Sequence, residues 1–474
     1  MNKTVKNIII TLIYALFTLF LVLHHEIWRD EAQVWLLVKY SNIPQLLERL
    51  INEGHPPLFY LMIMPFAKIG FSIFSMQMLC WFASCVGVFL LFQYSPFKWW
   101  LNVAIVLSAG FIFDFPVIAR SYSLLPFLVF LAAILYSKSK EHPVLYGFIL
   151  FVFTQIHSIM LGFVSVLIVL FLYDTVKNKE YSKGTLARIL IPSFGVLLTV
   201  CRSFLSVQSN YFLDMPHNHS AIYQTMSVLY QFFTTSVSSS LPRGYFLVLV
   251  LYFVIFCILF VLLFKLSKRA FLISAAGVFY QFYVYIHYYA DVLFVNRVFC
   301  TYLVMLFAFW IAFKNSEGKE KLITKTSITL AIFFLMTTPN GLNICRMEYL
   351  YDYSAAKPTA EYIMENIDKN SVILSDTFPM SESVFLYLPE GYEIIDVNND
   401  KPTTFVVWKK NIIHRFSLEE WQNYILNHNF GGKKIYILQS KNQAKVFENG
   451  TLKFVSPKSI MRYEDFVLQE YKND

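Results

Sequence analysis

Long apolar runs separated by short polar breaks fill the first three-quarters of the chain. They lie near 8–23, 74–93, 99–113, 121–136, 144–156, 158–173, 187–201, 244–264, 270–287, 299–313 and 322–338. Each approaches the roughly 20 apolar residues that a bilayer-crossing helix needs, so the pattern predicts about eleven transmembrane helices. Between the first two runs the apolar positions are more broken. Gln33–Leu50 reads as an interfacial helix interrupted at Pro44, and Pro57–Phe71, short and carrying Pro65 and Lys68, reads as another. The first run has no small-residue cleavage site after it and reads as a true span rather than a signal peptide.

From Met347 the pattern changes to that of a soluble domain. Helices are predicted over 357–367, 381–388 and 418–427, and strands over 372–376, 393–397, 404–409 and 434–440. Alternating strands and helices predict a small α/β domain with a partly parallel sheet. The predicted organisation is therefore a polytopic α-helical membrane domain over 1–345, with a first external loop at 24–73, followed by an extracytoplasmic α/β domain over 346–474.

Composition agrees. The 474 residues are 57% hydrophobic and only 15% charged, with a mean hydropathy of +0.51. A soluble domain has about 45–50% apolar and about 25% charged residues. The net charge of +8 therefore reads as lysine and arginine kept in cytoplasmic loops, not as a nucleic-acid surface. With the N-terminus inside, the inner segments hold Lys3, Lys6, Lys98, Lys138, Lys140, Lys177, Lys179, Lys183, Arg188, Lys265, Lys268, Arg269, Lys314, Lys319 and Lys321. The outer loops hold chiefly Arg29, Lys39, Arg49, Arg120, Arg202, Arg243 and Arg297. Six scattered cysteines form no CxxC pair, so neither a disulfide framework nor a cysteine metal site is indicated.

Charge beside a bilayer is costly, so the cluster between His24 and Tyr60 marks a candidate site in the integral membrane segment of the chain. Asp30 and Glu31 follow the first span; adjacent carboxylates cannot share a helical face, which predicts separate jobs. One would accept a proton from an acceptor hydroxyl while the other anchors the loop or holds a cation. The plainer alternative is an acidic helix start beside an interfacial tryptophan. Glu53 and His55, on the turn before Pro56-Pro57, are candidates for substrate or metal binding, against an incidental histidine in a helix-breaking connection. Asp114, Arg120 and Tyr122 sit at the outer end of a run, where an arginine suits a phosphate unless it simply pairs with Asp114. Arg297 is a second phosphate candidate, with His287 just before it; the tyrosines at 288 and 289 read as an aromatic belt. His157 reads as a packed histidine, and His217 and His219 as a weak metal hint.

Three motifs carry a resemblance: W-R-D-E-A at 28–32, E-G-H-P-P-L at 53–58 and A-R-S-Y at 119–122. Together they resemble the GT-C superfamily of integral-membrane glycosyltransferases. That superfamily includes protein O-mannosyltransferases, lipid A aminoarabinose transferases and RgtA/B/C/D-like enzymes. The resemblance covers roughly residues 1–345. It implies an inverting transfer of a sugar from a polyprenyl-phosphate or polyprenyl-diphosphate donor to an extracytoplasmic glycan, lipid or protein acceptor. It places the catalytic acid on Asp30, as general base or orienter of the acceptor, and puts Glu53 at an acceptor- or metal-binding position. A divalent metal ion is left open, and no other cofactor is implied. Gly54-His55 departs from the lysine that aminoarabinose transferases carry before the prolines, which leaves the acceptor class open. The rival readings are a lipid-linked sugar transporter or flippase, which would favour charges in mid-span, and a glycan polymerase.

Overall fold

The structure is a computed structural model that describes residues 2–206, 220–237, 245–289, 293–408 and 414–472. The helices, in order, are α1 (Lys3–His24), α2 (Arg29–Lys39), α3 (Ile43–Arg49), α4 (Leu58–Lys68), α5 (Phe74–Tyr94), α6 (Trp99–Val106), α7 (Phe115–Val117), α8 (Leu125–Leu135), α9 (Pro143–Ile156) and α10 (Leu161–Asn178). They continue with α11 (Lys183–Ser206), α12 (Ala221–Val237), α13 (Tyr245–Leu266), α14 (Lys268–Tyr288), α15 (Val295–Lys314), α16 (Glu320–Leu335), α17 (Thr338–Leu350), α18 (Ala356–Asn366), α19 (Phe378–Tyr387) and α20 (Leu418–Asn427).

Among the described residues, nine helical stretches are long and apolar enough to cross a membrane, and a bent pair would make a tenth. Eight of the eleven predicted runs correspond to such a stretch, and 322–338 extends into a ninth, Glu320–Leu350. The other two differ. The run at 99–113 is two helical pieces, Trp99–Val106 and Gly110–Val117, that meet at 69° across a break at 107–109; the second piece opens with a π-helical turn over Gly110–Asp114. Phe299 occupies the space beside Gly110; a Cβ there would lie 2.3 Å from its ring. The run at 144–156 is the 14-residue α9, which stops where His157 turns extended at φ −154°. At about 1.5 Å per residue it falls short of a hydrocarbon core about 30 Å thick.

α15 is the central post, with every residue from Val298 to Phe313 buried. The segments predicted to face inward meet at one end of the bundle. There Arg269 forks onto Asp174 at 2.8 and 2.7 Å, Lys140 pairs with Glu180, Arg188 donates to Ser139 and Lys319 donates to the Lys265 carbonyl. The stretch 202–243, predicted as an outer loop, contains α12, which buries Val228, Phe232 and Phe233 against neighbouring helices. Its mixed polar sequence hides a helix that tertiary packing stabilises. His217, His219 and Arg243 lie outside the described residues.

After α17 the chain forms a six-stranded sheet in the order β3-β2-β1-β4-β6-β5. The strands are β1 (Val372–Ser375), β2 (Ile394–Asp396), β3 (Lys401–Pro402), β4 (Ile435–Ser440), β5 (Gly450–Val455) and β6 (Phe466–Tyr471). β1 runs parallel to β2 and β4, with Ile373 opposite both Ile394 and Tyr436, and the outer pairings are antiparallel. Side chains of β1 alternate between two cores. Ile373 packs with α18 and α19, and Leu374 packs with Trp421 and Ile425 of α20. Of the predicted strand 404–409, residues 404–408 are described and form no strand; the backbone at Val406 is engaged by a side chain of α2 rather than by a neighbouring strand.

The close approach of α17 to the chain before the π turn depends on Gly341. A Cβ there would lie 2.8 Å from the Ala109 Cα and 3.3 Å from its backbone nitrogen, neither of which can rotate away. Gly341→Val is expected to cost about 1–3 kcal/mol. A lowered midpoint in thermal unfolding of the purified protein checks it.

Candidate active site

The short helix α2 organises the site. Trp28 is extended at φ −100° and ψ 172°, and Asp30 and Glu31 follow in the first turn, where acids favour the helix dipole. The two carboxylates diverge as their adjacency predicts. Glu31 turns inward and is fully buried. Its Oε1 accepts the Ala119 N–H at 2.5 Å, and its Oε2 accepts from His25 Nε2 at 2.9 Å and from the Trp28 N–H at 3.4 Å. His25 Nδ1 meets Glu348 Oε1 at 2.8 Å. Both ring nitrogens face carboxylates, so both donate and the imidazole is cationic. Burial opposes that charge, but Glu31 and Glu348 outweigh it and hold the His25 pKa well above its ordinary value. Of the two jobs expected of the pair, Glu31 thus takes the anchoring one: it holds the turn that carries Arg120.

Asp30 turns the other way, its side chain 23% exposed. Arg29 donates to its Oδ1 from two nitrogens at 3.2 and 3.0 Å, while Oδ2 has no hydrogen bond among the described residues. Burial alone would raise this carboxyl; Arg29, Arg120 and Arg297 outweigh it and hold it below the usual carboxylate range. Arg120 does not pair with Asp114. One of its nitrogens donates to the Asp30 carbonyl and another to His55 Nε2 at 3.1 Å.

That contact fixes a tautomer. His55 Nε2 accepts, so its proton is on Nδ1, which is buried without a partner among the described residues. His157 Nδ1 accepts the Ile159 N–H at 3.1 Å, so its proton is on Nε2, equally buried and without a partner among the described residues. Burial and the nearby arginines keep both rings neutral, well below the ordinary histidine pKa. The rings lie 5.1 Å apart, with Tyr122 4.6 Å from His157. Arg297 Nε lies 3.4 Å from the Tyr122 hydroxyl, its guanidinium 3.8 Å from the Tyr289 ring. The result is a cluster of N–H donors beside a carboxylate.

Glu53 closes the other side. Burial pushes its carboxyl up to about 7, against a Gln33 hydrogen bond and the charges of Arg120 and Arg202. A metal fits this arrangement poorly: His55 faces a guanidinium, Glu53 binds an amide, and among the described residues no group of three His, Cys, Asp or Glu forms a ligand set. Asp114 is not part of the cluster; it lies near the Asn296 backbone. His287 is also elsewhere, exposed on α14 with its ring 4.4 Å from Tyr283.

The α/β domain roofs α2. Glu464 Oε1 accepts the Arg29 N–H at 2.9 Å, capping the helix, while its Oε2 accepts from Ser354 and Ser383. Met380 Sδ accepts from Arg29, and Glu382 is fully buried nearby. His25, Gln33, Tyr60, Arg202, Glu348, Glu382 and Glu464 carry no motif that singles them out; His25, Gln33 and Tyr60 lie in the polar stretch at 24–60, and the other four are remote from it in sequence. No protein-family model matches the chain, and no curated protein matches it either.

His25→Ala leaves two carboxylates buried without their cation and is expected to destabilise the protein by about 3–5 kcal/mol. The folded pKa of His25 is raised, so its contribution is complete below the ordinary value of 6.5 and disappears as pH rises through the folded value. Thermal midpoints measured from neutral to alkaline pH should fall in wild type. They should fall less steeply in His25→Ala.

Proposed function

We propose that the chain is an integral-membrane glycosyltransferase of GT-C type that moves a sugar from a polyprenyl-phosphate donor to an extracytoplasmic hydroxyl. The observation that carries the reading is the placement of donors on His55 and His157 that have no partner among the described residues, backed by Arg120 and Arg297, beside the ionised Asp30. Such donors suit a phosphate oxygen that gains charge as it leaves. Asp30 suits a base that receives a proton in the same cleft.

In the proposed step, the acceptor hydroxyl oxygen forms the new bond to the anomeric carbon. The bond to the phosphate oxygen breaks, the phosphate leaves with the electron pair, and the hydroxyl proton passes to Asp30 Oδ2. A single displacement inverts the anomeric centre. The polyprenyl chain would lie against the apolar outer faces of the bundle, where Phe194, Phe246 and Phe279 are exposed. The N-terminus would be cytoplasmic and the site and α/β domain external, in line with the basic residues at the opposite end. The gathering of site charges at one end, rather than at mid-helix, favours this reading over a transporter.

A second assignment has its own support. Glu53, with a carboxyl at about 7, is the better matched base at neutral pH, and Asp30 would then orient the acceptor. Sugar transfer from radiolabelled polyprenyl-phosphate donors in membranes distinguishes them. Asp30→Asn is expected to reduce the rate by about a hundred- to ten-thousandfold at equal protein level. With Asp30 as base, the wild-type rate stays flat as pH falls through about 7. With Glu53 as base, it declines there, and Glu53→Gln removes the decline together with the activity. Donor movement across the bilayer without transfer would make the protein a transporter.

A further inference from the structure

The Glu53 side of the cleft is tied to the α/β domain by one side chain. Gln33 Nε2 donates to Glu53 Oε1 at 2.5 Å and to the Val406 carbonyl at 2.7 Å. Its Oε1 accepts the Val406 N–H at 3.0 Å, a donor shared with Glu382 Oε2 at 3.3 Å. The peptide at Val406 therefore pairs with the Gln33 amide as a neighbouring strand would. Because Val406 offers both a donor and an acceptor, the amide has one allowed orientation, with its NH₂ toward Glu53. Without Val406 the amide is free to flip and present its oxygen instead.

The Val406 segment is seated by its neighbours. Phe405 packs beside Ile27, Ala32 and Leu36 of the α2 region and lies 4.6 Å from the Arg49 guanidinium. The Tyr387 hydroxyl accepts the Ile27 N–H at 2.9 Å. The groups facing Glu53 come from five places: Asp30 and Gln33 on α2, Tyr60 on α4, Arg120, Arg202 on α11, and Glu382 on α19. Of these, only Gln33 makes a hydrogen bond to the Glu53 side chain among the described residues.

We propose that Gln33 is a positioning residue that couples docking of the α/β domain to Glu53, so that the domain is a working part of the cleft. Seating Val406 locks the amide as a donor, which holds Glu53 in place and favours its ionised form. Any part Glu53 plays in transfer rests on the function proposed above; the coupling itself does not.

A hydrophobic carbodiimide tests the coupling without turnover. A protonated carboxyl adds across the carbodiimide and rearranges to a stable N-acylurea, so the pH dependence of labelling reports how Glu53 titrates. Labelling of Glu53 in the full-length protein, read by mass spectrometry from about pH 5 to 9, should fall by half near the Glu53 value of about 7. In Gln33→Met the midpoint should rise by about one pH unit. Phe405→Ser, which unseats Val406 without touching Gln33, should move it in the same direction; Tyr387→Phe replaces that variant if it does not fold. A midpoint unmoved in Gln33→Met, a shift in Gln33→Met alone, or no labelling of wild-type Glu53 anywhere in the range would each overturn the proposal. Absence of sugar transfer in the same membranes would count against the function proposed above and leave the labelling result standing.

Discussion

Holding charge in a low-dielectric place is the constraint on which the rest of this structure depends. An ionised group taken from water must be paired, hydrogen-bonded or neutralised. The region around α2 uses all three solutions within a few residues. Glu31 is paired with a cationic His25 that also binds Glu348. Asp30 is offset by guanidinium groups and stays ionised. Glu53 is only partly compensated, and burial brings its carboxyl to about 7. Neutral histidines fill the space between the arginines, where further cations would repel one another.

These solutions explain why the polar loop and the C-terminal domain form one body. α2 has 11 residues, a length at which an isolated helix is marginal in water. Its start needs acceptors for free N–H groups, and Glu464 of the α/β domain supplies one at Arg29. Its apolar flank is covered by Phe385, Leu386 and Tyr387 of α19 and by Phe405. On the bundle side, Glu31 ties it to Ala119 and so fixes the turn from which Arg120 reaches the Asp30 carbonyl and His55. The helix is held between two cores that neither share a periodic pattern nor lie near each other in sequence.

That separation marks what the sequence makes legible. Apolar runs and alternation are local, and they announce the long apolar helices and the elements around β1, β4 and α20. The Asp30-Glu31 divergence was also readable, because side chains one position apart on a helix point about 100° apart. What local pattern does not carry is contact across hundreds of positions. His25 and Glu348 are 323 residues apart, and Gln33 and Val406 are 373 apart. The strand expected at 404–409 failed for the same reason: its β-forming sequence is real, but its partner is a glutamine side chain. Arg120 likewise passes over the nearby Asp114 for the backbone of Asp30 and the ring of His55.

The two cleft carboxyls differ in a way that bears on chemistry. Identical groups in one cleft would tend to titrate together, or one would hold the proton for both. Here the arginines are distributed unevenly: Arg29 forks onto Asp30, whereas Glu53 receives an uncharged amide. One carboxyl is thereby kept as a permanent anion, and the other is left close to balance at neutral pH. Paired carboxyls whose surroundings push them apart are what acid–base chemistry at a single site requires. In the proposed transfer, the leaving phosphate brings more negative charge into the donor cluster. That charge, partly offset by Arg120 and Arg297, raises the proton affinity of both carboxyls; Asp30, already ionised, can then take the proton, while Glu53, the stronger base, competes for it whenever it too is ionised.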